Sequence, residues 1–381
     1  MDHGCGVHRA QRRPAHRPPL GRERRSRGTG PRAVAVIDVI VAGGGPAGLT
    51  AALHAARRGL EVVVYEPRTG PIDKACGEGL MPGAVAALEE LGVRPDGRPL
   101  RGIRYVSGSR SAVADFRAGP GRGVRRTVLH AALRQAVADA GVTVLPAAVN
   151  GLVQRTDAVE VDGVRARYLV AADGLHSPIR RRLGLDVAVT TARRFGLRRH
   201  VCVAPWTEYV EVHWAPAAEA YVTPVGPDLV GIAVLTTARA PFDAHLAAFP
   251  ELRERIGGRP LTTAVRGAGP LRQRSRRRVA GRTLLVGDAA GYVDALTGEG
   301  VALGMAQARA AIAALAVGRP DEYEAAWRRL TWRYELLTRT LLRATATAPG
   351  RRALVPLAVA LPRVFGAAVN VLARPAREGA E

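Results

Sequence analysis

At 381 residues, with 47% hydrophobic and 23% charged content, the chain can bury one large core or two unequal domains, which excludes a disordered protein. Its net charge of +23 comes without a nucleic-acid reader motif and with only 4% aromatic residues. The excess of arginine over lysine therefore reads as a coding habit, and nucleic acid is not an expected partner. Cys5, Cys76 and Cys202 have no metal-ligand spacing and cannot all pair, so no metal site is expected and a reducing, cytoplasmic compartment fits best.

Residues 1–33 hold nine arginines among prolines and glycines without apolar periodicity, the pattern of a disordered basic extension. A twin-arginine export signal would need an apolar stretch after the arginines. Here Gly28, Gly30 and Pro31 lead straight into a strand.

The segment "VAVIDVIVAGGGPAGLTAALHAARRGLEVVVYEP" predicts a buried strand, a glycine turn, a helix and a second strand. Gly43 permits the tight turn, Gly45 lets backbone approach a pyrophosphate, and Gly48 lets helix pack on strand. Pro46 and Ala47 open the helix between the last two glycines. Its orphan N–H groups would face the phosphates. Glu66 ends the second strand, where a carboxylate accepts both hydroxyls of an adenosine ribose, and Arg68 follows it as a further cofactor-binding candidate. A lone glycine fingerprint is a weak signal, but the strand, helix, strand and terminal acid together make a dinucleotide site.

Next comes "DKACGEGLMPG", which contains Lys74, the one lysine of the chain, beside Cys76. In "GVRRTVLHAALRQAV", Leu129, Leu133 and Val137 share one helix face. "RYLVAADGLHSPIRRRLG" is a strand ending in Asp173-Gly174, with Ser177 and Arg180 on the helix after it. "RTLLVGDAAGYVDALTGEGVALGMAQARAA" is a strand ending in Gly287-Asp288, then a glycine-rich loop and a helix. Carboxylates at the carboxyl ends of strands sit where open α/β sheets bind ligands, and Asp288 suits the ribityl hydroxyls of a flavin. Helix capping is the alternative role for both Asp173 and Asp288.

Between Leu185 and Arg276 the pattern changes to alternating strands, "FGLRRHVCV", "YVEVHWA", "AYVTPV" and "LVGIAVLT". They predict an antiparallel sheet with one face toward a ligand and the other toward solvent. Val210, Val212 and Trp214 share one face of their strand, and Glu211 and His213 the other. His200 and His213 are candidate catalytic bases, with a merely solvated histidine as the alternative. The C-terminal part, Asp321 to Glu381, is helical in pattern, and Pro356, Pro362 and Arg363 interrupt its apolar run below spanning length. It can pack over the substrate mouth or lie in a membrane interface.

These motifs, in this order from about Val36 to Gly304, resemble the FAD-dependent p-hydroxybenzoate hydroxylase-type monooxygenases and their relatives, the geranylgeranyl reductases. The resemblance implies an α/β fold: a glutathione-reductase-like Rossmann FAD domain, an inserted antiparallel sheet that roofs the isoalloxazine ring, and a helical C-terminal region. The expected division is a basic extension over 1–33, a discontinuous FAD domain over 34–72, 120–186 and 276–316, a substrate and flavin-roof domain over 73–119 and 187–275, and a helical region over 317–381. Arg126, in the pattern R-x-x-L-x-x-x-L, becomes an FAD contact. Gly298, Glu299 and Gly300 take the place where backbone N–H groups meet the flavin's pyrimidine edge, with a plain glycine turn as the alternative. "ACGEGL" is similar to the C-G-x-G segment that lies beside the flavin in the reductase branch. Lys74 would then neutralise cofactor phosphate or reduced flavin, unless it is a solvated lysine. Cys76 is either a site residue or a small packing residue.

A nicotinamide nucleotide, NADH or NADPH, would visit transiently, since no second dinucleotide fingerprint is present. That favours hydroxylation of an apolar aromatic or polyketide-like small molecule. The alternatives are a geranylgeranyl reductase-like enzyme that saturates isoprenoid double bonds and a non-catalytic FAD-binding protein. "YVTPV", Tyr221 to Val225, lacks the aromatic residues of the reductase segment, whereas "ACGEGL" points toward the reductases.

Overall fold

The run IDVIVA carries no polar residue after Asp38, so it is buried on both faces, and it forms the strand Ile37–Ala42 at the centre of an eight-stranded sheet. The computed structural model describes residues 37–191 and 193–374, so the basic extension over 1–33 and Cys5 lie outside the described residues. Ile37–Ala42 pairs in parallel with Val62–Tyr65 on one side and Val164–Ala171 on the other, Ile40 lying opposite Val63 and Leu169. Thr143–Leu145 and Thr283–Leu285 extend this parallel set outward. Short antiparallel strands, Leu152–Gln154, Val159–Val161 and Val279–Ala280, complete a mixed sheet.

Two alanine-rich helices, Pro46–Ala56 and Gly300–Ala316, pack on each other and on this sheet. Small side chains let them approach, and Ala51, Ala55, Ala308, Ala311 and Ile312 are fully enclosed in one core with Leu49, Leu169 and Leu284. Each such leucine contributes about 1.5–3 kcal/mol by leaving water.

The alternating segment builds a second sheet of seven strands. Its order is Arg266–Ala268, Phe195–Cys202, Leu229–Thr236, Ala218–Gly226, Tyr209–Trp214, Gly102–Ser107 and Arg110–Asp115. Two expectations are corrected here. The sheet is not antiparallel throughout, because Tyr209–Trp214 runs parallel to Gly102–Ser107. The chain between those strands passes through the first sheet, and so long a crossover lets both run the same way. Nor is the outer face left to solvent. Val222, Ile232 and Val234 pack there under Phe242, Leu246, Leu252 and Ile256, from the short helices Phe242–Leu246 and Pro250–Ile256. A small third sheet, Gly79–Leu80, Gly121–Gly123 and Arg98–Leu100, carries the segment after Cys76.

Three helices close the described chain: Glu322–Ala344, Ala348–Ala360 and Pro362–Ala373. Pro356 sits inside the second without ending it, and the break falls at Pro362, where the last two helices bend by 102°. Among the described residues no single helix is long and apolar enough to cross a membrane. The fully buried Glu219 of the seven-stranded sheet accepts from Arg194 and Arg351, both at 2.9 Å, and so ties the helix Ala348–Ala360 to that sheet.

Candidate active site

The glycine turn builds a cradle for an anion. Gly43 has φ of +104°, and a Cβ there would lie 2.4 Å from the Ala172 carbonyl oxygen, so only glycine fits between the two strands. Gly45 is the N-cap of the helix Pro46–Ala56 and no side chain caps that end, which leaves backbone N–H groups for a ligand. The buried Glu66 carboxylate closes the other side, accepting from the Gly44 N–H at 2.8 Å and from the Arg68 guanidinium at 2.8 and 2.9 Å. Burial alone would raise this carboxyl. The hydrogen bonds from Arg68 and from the Gly44 N–H outweigh it and hold Glu66 below the usual range.

Beyond the cradle opens a cavity of about 450 Å³ that Gly45, Pro46, Ala47, Arg126, Gly287 and Asp288 line at one end. Arg126 starts the helix Arg126–Asp139, and its buried Nε has no partner within the protein. Asp288 lies in the turn Gly287–Ala290, which the enclosed Arg180 fixes by donating to the Ala289 carbonyl at 3.1 Å and pairing with Asp186 at 2.7 Å. Lys74 Nζ reaches Asp288 at 3.1 Å, so the single lysine spans from the CGEG segment to the carboxylate expected at the ribityl chain. Gly298 and Gly300 also face this cavity, at the start of the helix Gly300–Ala316. The residues present fit FAD: an uncapped helix end for pyrophosphate, Glu66 for ribose, and Asp288 with an unpartnered Arg126 Nε on the shared cavity.

Cys76, Gly77, Glu78 and Gly79 line the same cavity. Thr223 Oγ1 donates to the Gly77 carbonyl at 2.7 Å, and Cys76 Sγ accepts from the Glu78 N–H at 3.4 Å. Removal from water pushes the Cys76 thiol up, although Arg126 pulls the other way. Glu78 was not legible as a site residue. It is buried with φ of +60°, and its carboxylate accepts from the Arg126 N–H at 2.9 Å and meets His200 Nε2 at 2.7 Å. Arg198 binds His200 Nδ1 at 3.2 Å and also pairs with Asp73.

Several expected site residues lie elsewhere. His200 is held by Glu78 and Arg198, and His213 by Glu211 at 3.2 Å, and neither imidazole lines the cavity. Asp173 caps the short helix Pro178–Arg182 through the Ile179 N–H at 3.1 Å, and burial pushes its carboxyl up against that bond. Gly43 and Gly48 act beneath the cavity through packing. Glu299 turns away from its neighbouring glycines into a different cavity.

A cradle for a dinucleotide, a second carboxylate and a sheet that lines one cavity with them define a flavin-binding oxidoreductase. The chain belongs to the FAD binding domain family, which matches residues 36–319, and it is an FAD-dependent oxidoreductase. It is 32% identical over 334 residues to the menaquinone reductase of Mycolicibacterium smegmatis, covering 76% of this chain and 79% of that protein. Digeranylgeranylglycerophospholipid reductase 1 of Methanothermobacter thermautotrophicus is 31% identical over 323 residues, again covering 76% and 79%. The fold is similar to that of a geranylgeranyl bacteriochlorophyll reductase-like protein from Thermoplasma acidophilum, with a TM-score of 0.73 at 23% identity over 84% of this chain and 90% of the other.

Proposed function

We propose that the chain saturates a double bond in the isoprenoid part of a lipid-soluble substrate, with NADH or NADPH as the transient reductant. The observation that carries this reading is the lining of the cavity. It runs from Cys76 past Val212 and Leu235 to Leu354, Phe365 and Leu372 of the C-terminal helices, mainly through apolar side chains. An isoprenoid chain offers no hydrogen-bonding groups, so a site for it must select by shape and apolar contact. The name of the Methanothermobacter relative, a reductase of a digeranylgeranyl lipid, supports the same reading, and that of the Mycolicibacterium relative supports a lipid-soluble substrate. Hydroxylation drew on His200 and His213 as bases, and since each is held by a carboxylate and neither lines the cavity, that support is withdrawn.

Saturating an alkene requires a hydride at one carbon and a proton at the other. Hydride is the chemistry that FAD supplies when bound and reduced. The proton falls to this chain, and Cys76 Sγ is the proposed donor: it lines the cavity, partial removal from water raises its thiol and so favours the protonated form, and because the residue is only half-buried the thiolate left behind takes a proton back from water. The test is turnover of dithionite-reduced enzyme with geranylgeraniol and a short-chain menaquinone, run once without air and once under labelled dioxygen, followed by product mass spectrometry. The expected product gains two hydrogens, and Cys76→Ser slows its formation by about 100-fold with flavin content unchanged. A product that instead carries an atom of labelled dioxygen, formed only in air, would overturn the reading.

The same reading assigns a role to the bend between the last two helices. Phe365 and Val369 are buried against the cavity with Val355 packed in the same cluster, whereas Leu357, Val359, Leu361 and Val364 are exposed in close succession beside Arg352 and Arg363. Apolar residues standing out between arginines suit the surface of an anionic bilayer, from which a lipid-soluble substrate would enter. Co-sedimentation is expected with vesicles containing phosphatidylglycerol and not with pure phosphatidylcholine, and Leu361→Glu with Val364→Glu should abolish it. Equal recovery of parent and variant with the anionic vesicles would sink this assignment.

A further inference from the structure

The helix Gly300–Ala316 separates two cavities. Gly300, Val301 and Gly304 face the apolar one, while Ala302, Ala306 and Arg309, on the opposite side of the helix, face a second cavity of about 820 Å³. The two share Leu372, and the loop before the helix divides them, with Thr297 and Gly298 lining the first and Glu299 the second.

The second cavity is polar at its floor and cationic at its rim. Thr50 Oγ1 and Glu299 Oε2 both belong to residues that line it, both atoms are buried, and neither has a hydrogen-bond partner. Thr50 is 0% and Glu299 9% exposed, so neither orphan is relieved by bulk water. His54, one helical turn from Thr50, lines the same floor. Burial, helped by Arg58, Arg309 and Arg57, pushes its imidazole down to about 4, so it stays neutral. Burial pushes the Glu299 carboxyl up to about 8, so near neutral pH it carries a proton that it can donate. Arg117, Arg329 and Arg333 stand at the rim, and the one other acid there, Glu90, is matched by Arg309 at 2.8 Å.

Every orphan on this floor can donate, and the rim is positive. A group with acceptor oxygens and negative charge complements both features, which is the chemistry of a phosphoryl group. Ala86, Ala302 and Ala306 leave room on the walls for a group of that size. We propose that this second cavity is a ligand site for a small molecule bearing a phosphoryl group, whose oxygens accept from Thr50 and Glu299 and whose charge is met by Arg329 and Arg333. Because Glu299 stands between two glycines that face the apolar cavity, occupancy is read on the FAD side of the loop. The site stands whichever reaction the apolar cavity performs.

The experiment titrates FAD-loaded protein with inorganic phosphate, ADP and dihexanoyl phosphatidic acid, following heat and the flavin absorption band. Saturable binding of at least one probe, with a change in the flavin spectrum, is expected. A preference for ADP assigns the phosphoryl group to a nucleotide, and a preference for phosphatidic acid assigns it to a lipid head group. Arg329→Ser with Arg333→Ser should weaken binding by more than about tenfold, and the near-isosteric Thr50→Val by about fivefold, both with parental flavin content. Failure of all three probes to saturate, or affinities that neither variant changes, would overturn the proposal.

Discussion

Gly48→Ala should give a protein that binds FAD at least about tenfold more weakly than the parent, or none at all. A Cβ at this position would lie 1.8 Å from the Gly43 carbonyl oxygen and 3.2 Å from the Ala172 Cβ. The first of these is backbone of the same turn and cannot swing aside. The helix Pro46–Ala56 must then lift from the strand Ile37–Ala42, which costs about 1–3 kcal/mol as overpacking and also moves the uncapped N–H groups out of register with the cavity. Gly366→Ala is the matched control, because a Cβ there meets nothing within 4 Å and the position is inside a helix. Flavin absorbance of the two purified variants, compared at equal protein concentration, separates the cases. Parental flavin content in Gly48→Ala would show that the glycine is not what lets helix and strand approach.

What the sequence disclosed was local. Gly43, Gly45 and Gly48 fall within one strand, turn and helix, so their spacing carries the geometry with it. The Gly287-Asp288 turn and the C-terminal helices were legible for the same reason. The pairing of Tyr209–Trp214 with Gly102–Ser107 was not, because strand patterns reveal faces and not partners. The fate of His213 could be read in part, since Glu211 shares its face two residues away. His200 could not, because its partner Glu78 is 122 residues distant. Glu299 illustrates a different limit: one turn of backbone decides which of two cavities a side chain enters, and the run G-E-G is compatible with both. Glu78 itself lay inside the segment that attracted attention, between two glycines, and nothing local marks a carboxylate there as buried.

Glu78→Ala is therefore the substitution whose effect depends most on contacts that only the fold creates. Its carboxylate is 1% exposed and shared by three groups: the Arg126 N–H at 2.9 Å, His200 Nε2 at 2.7 Å and Arg198 Nε at 3.8 Å. Gly231 is shaped to admit it, for a Cβ there would lie 2.8 Å from Glu78 Oε2. Removing the carboxylate leaves the enclosed Arg198 with Asp73 as its remaining acid and leaves His200 Nε2 and the Arg126 N–H without their acceptor, and each buried polar group unpaired in this way costs about 1–3 kcal/mol. Alanine also inherits a φ of +60°, which relieves none of the strain that glutamate bears. A fall of roughly 5–10 °C in Tm is expected. Glu78→Gln keeps the shape and the acceptor oxygen for the Arg126 N–H, so it should fall less, while Glu78→Gly relieves the backbone and still loses the charge. The order Gln above Gly above or equal to Ala in melting temperature is the signature of a carboxylate that holds the CGEG segment against the seven-stranded sheet. If Glu78→Ala melts with the parent, the pairing with His200 and Arg198 carries no net stability, and the segment beside Cys76 must be held by Thr223 and the glycine backbone alone.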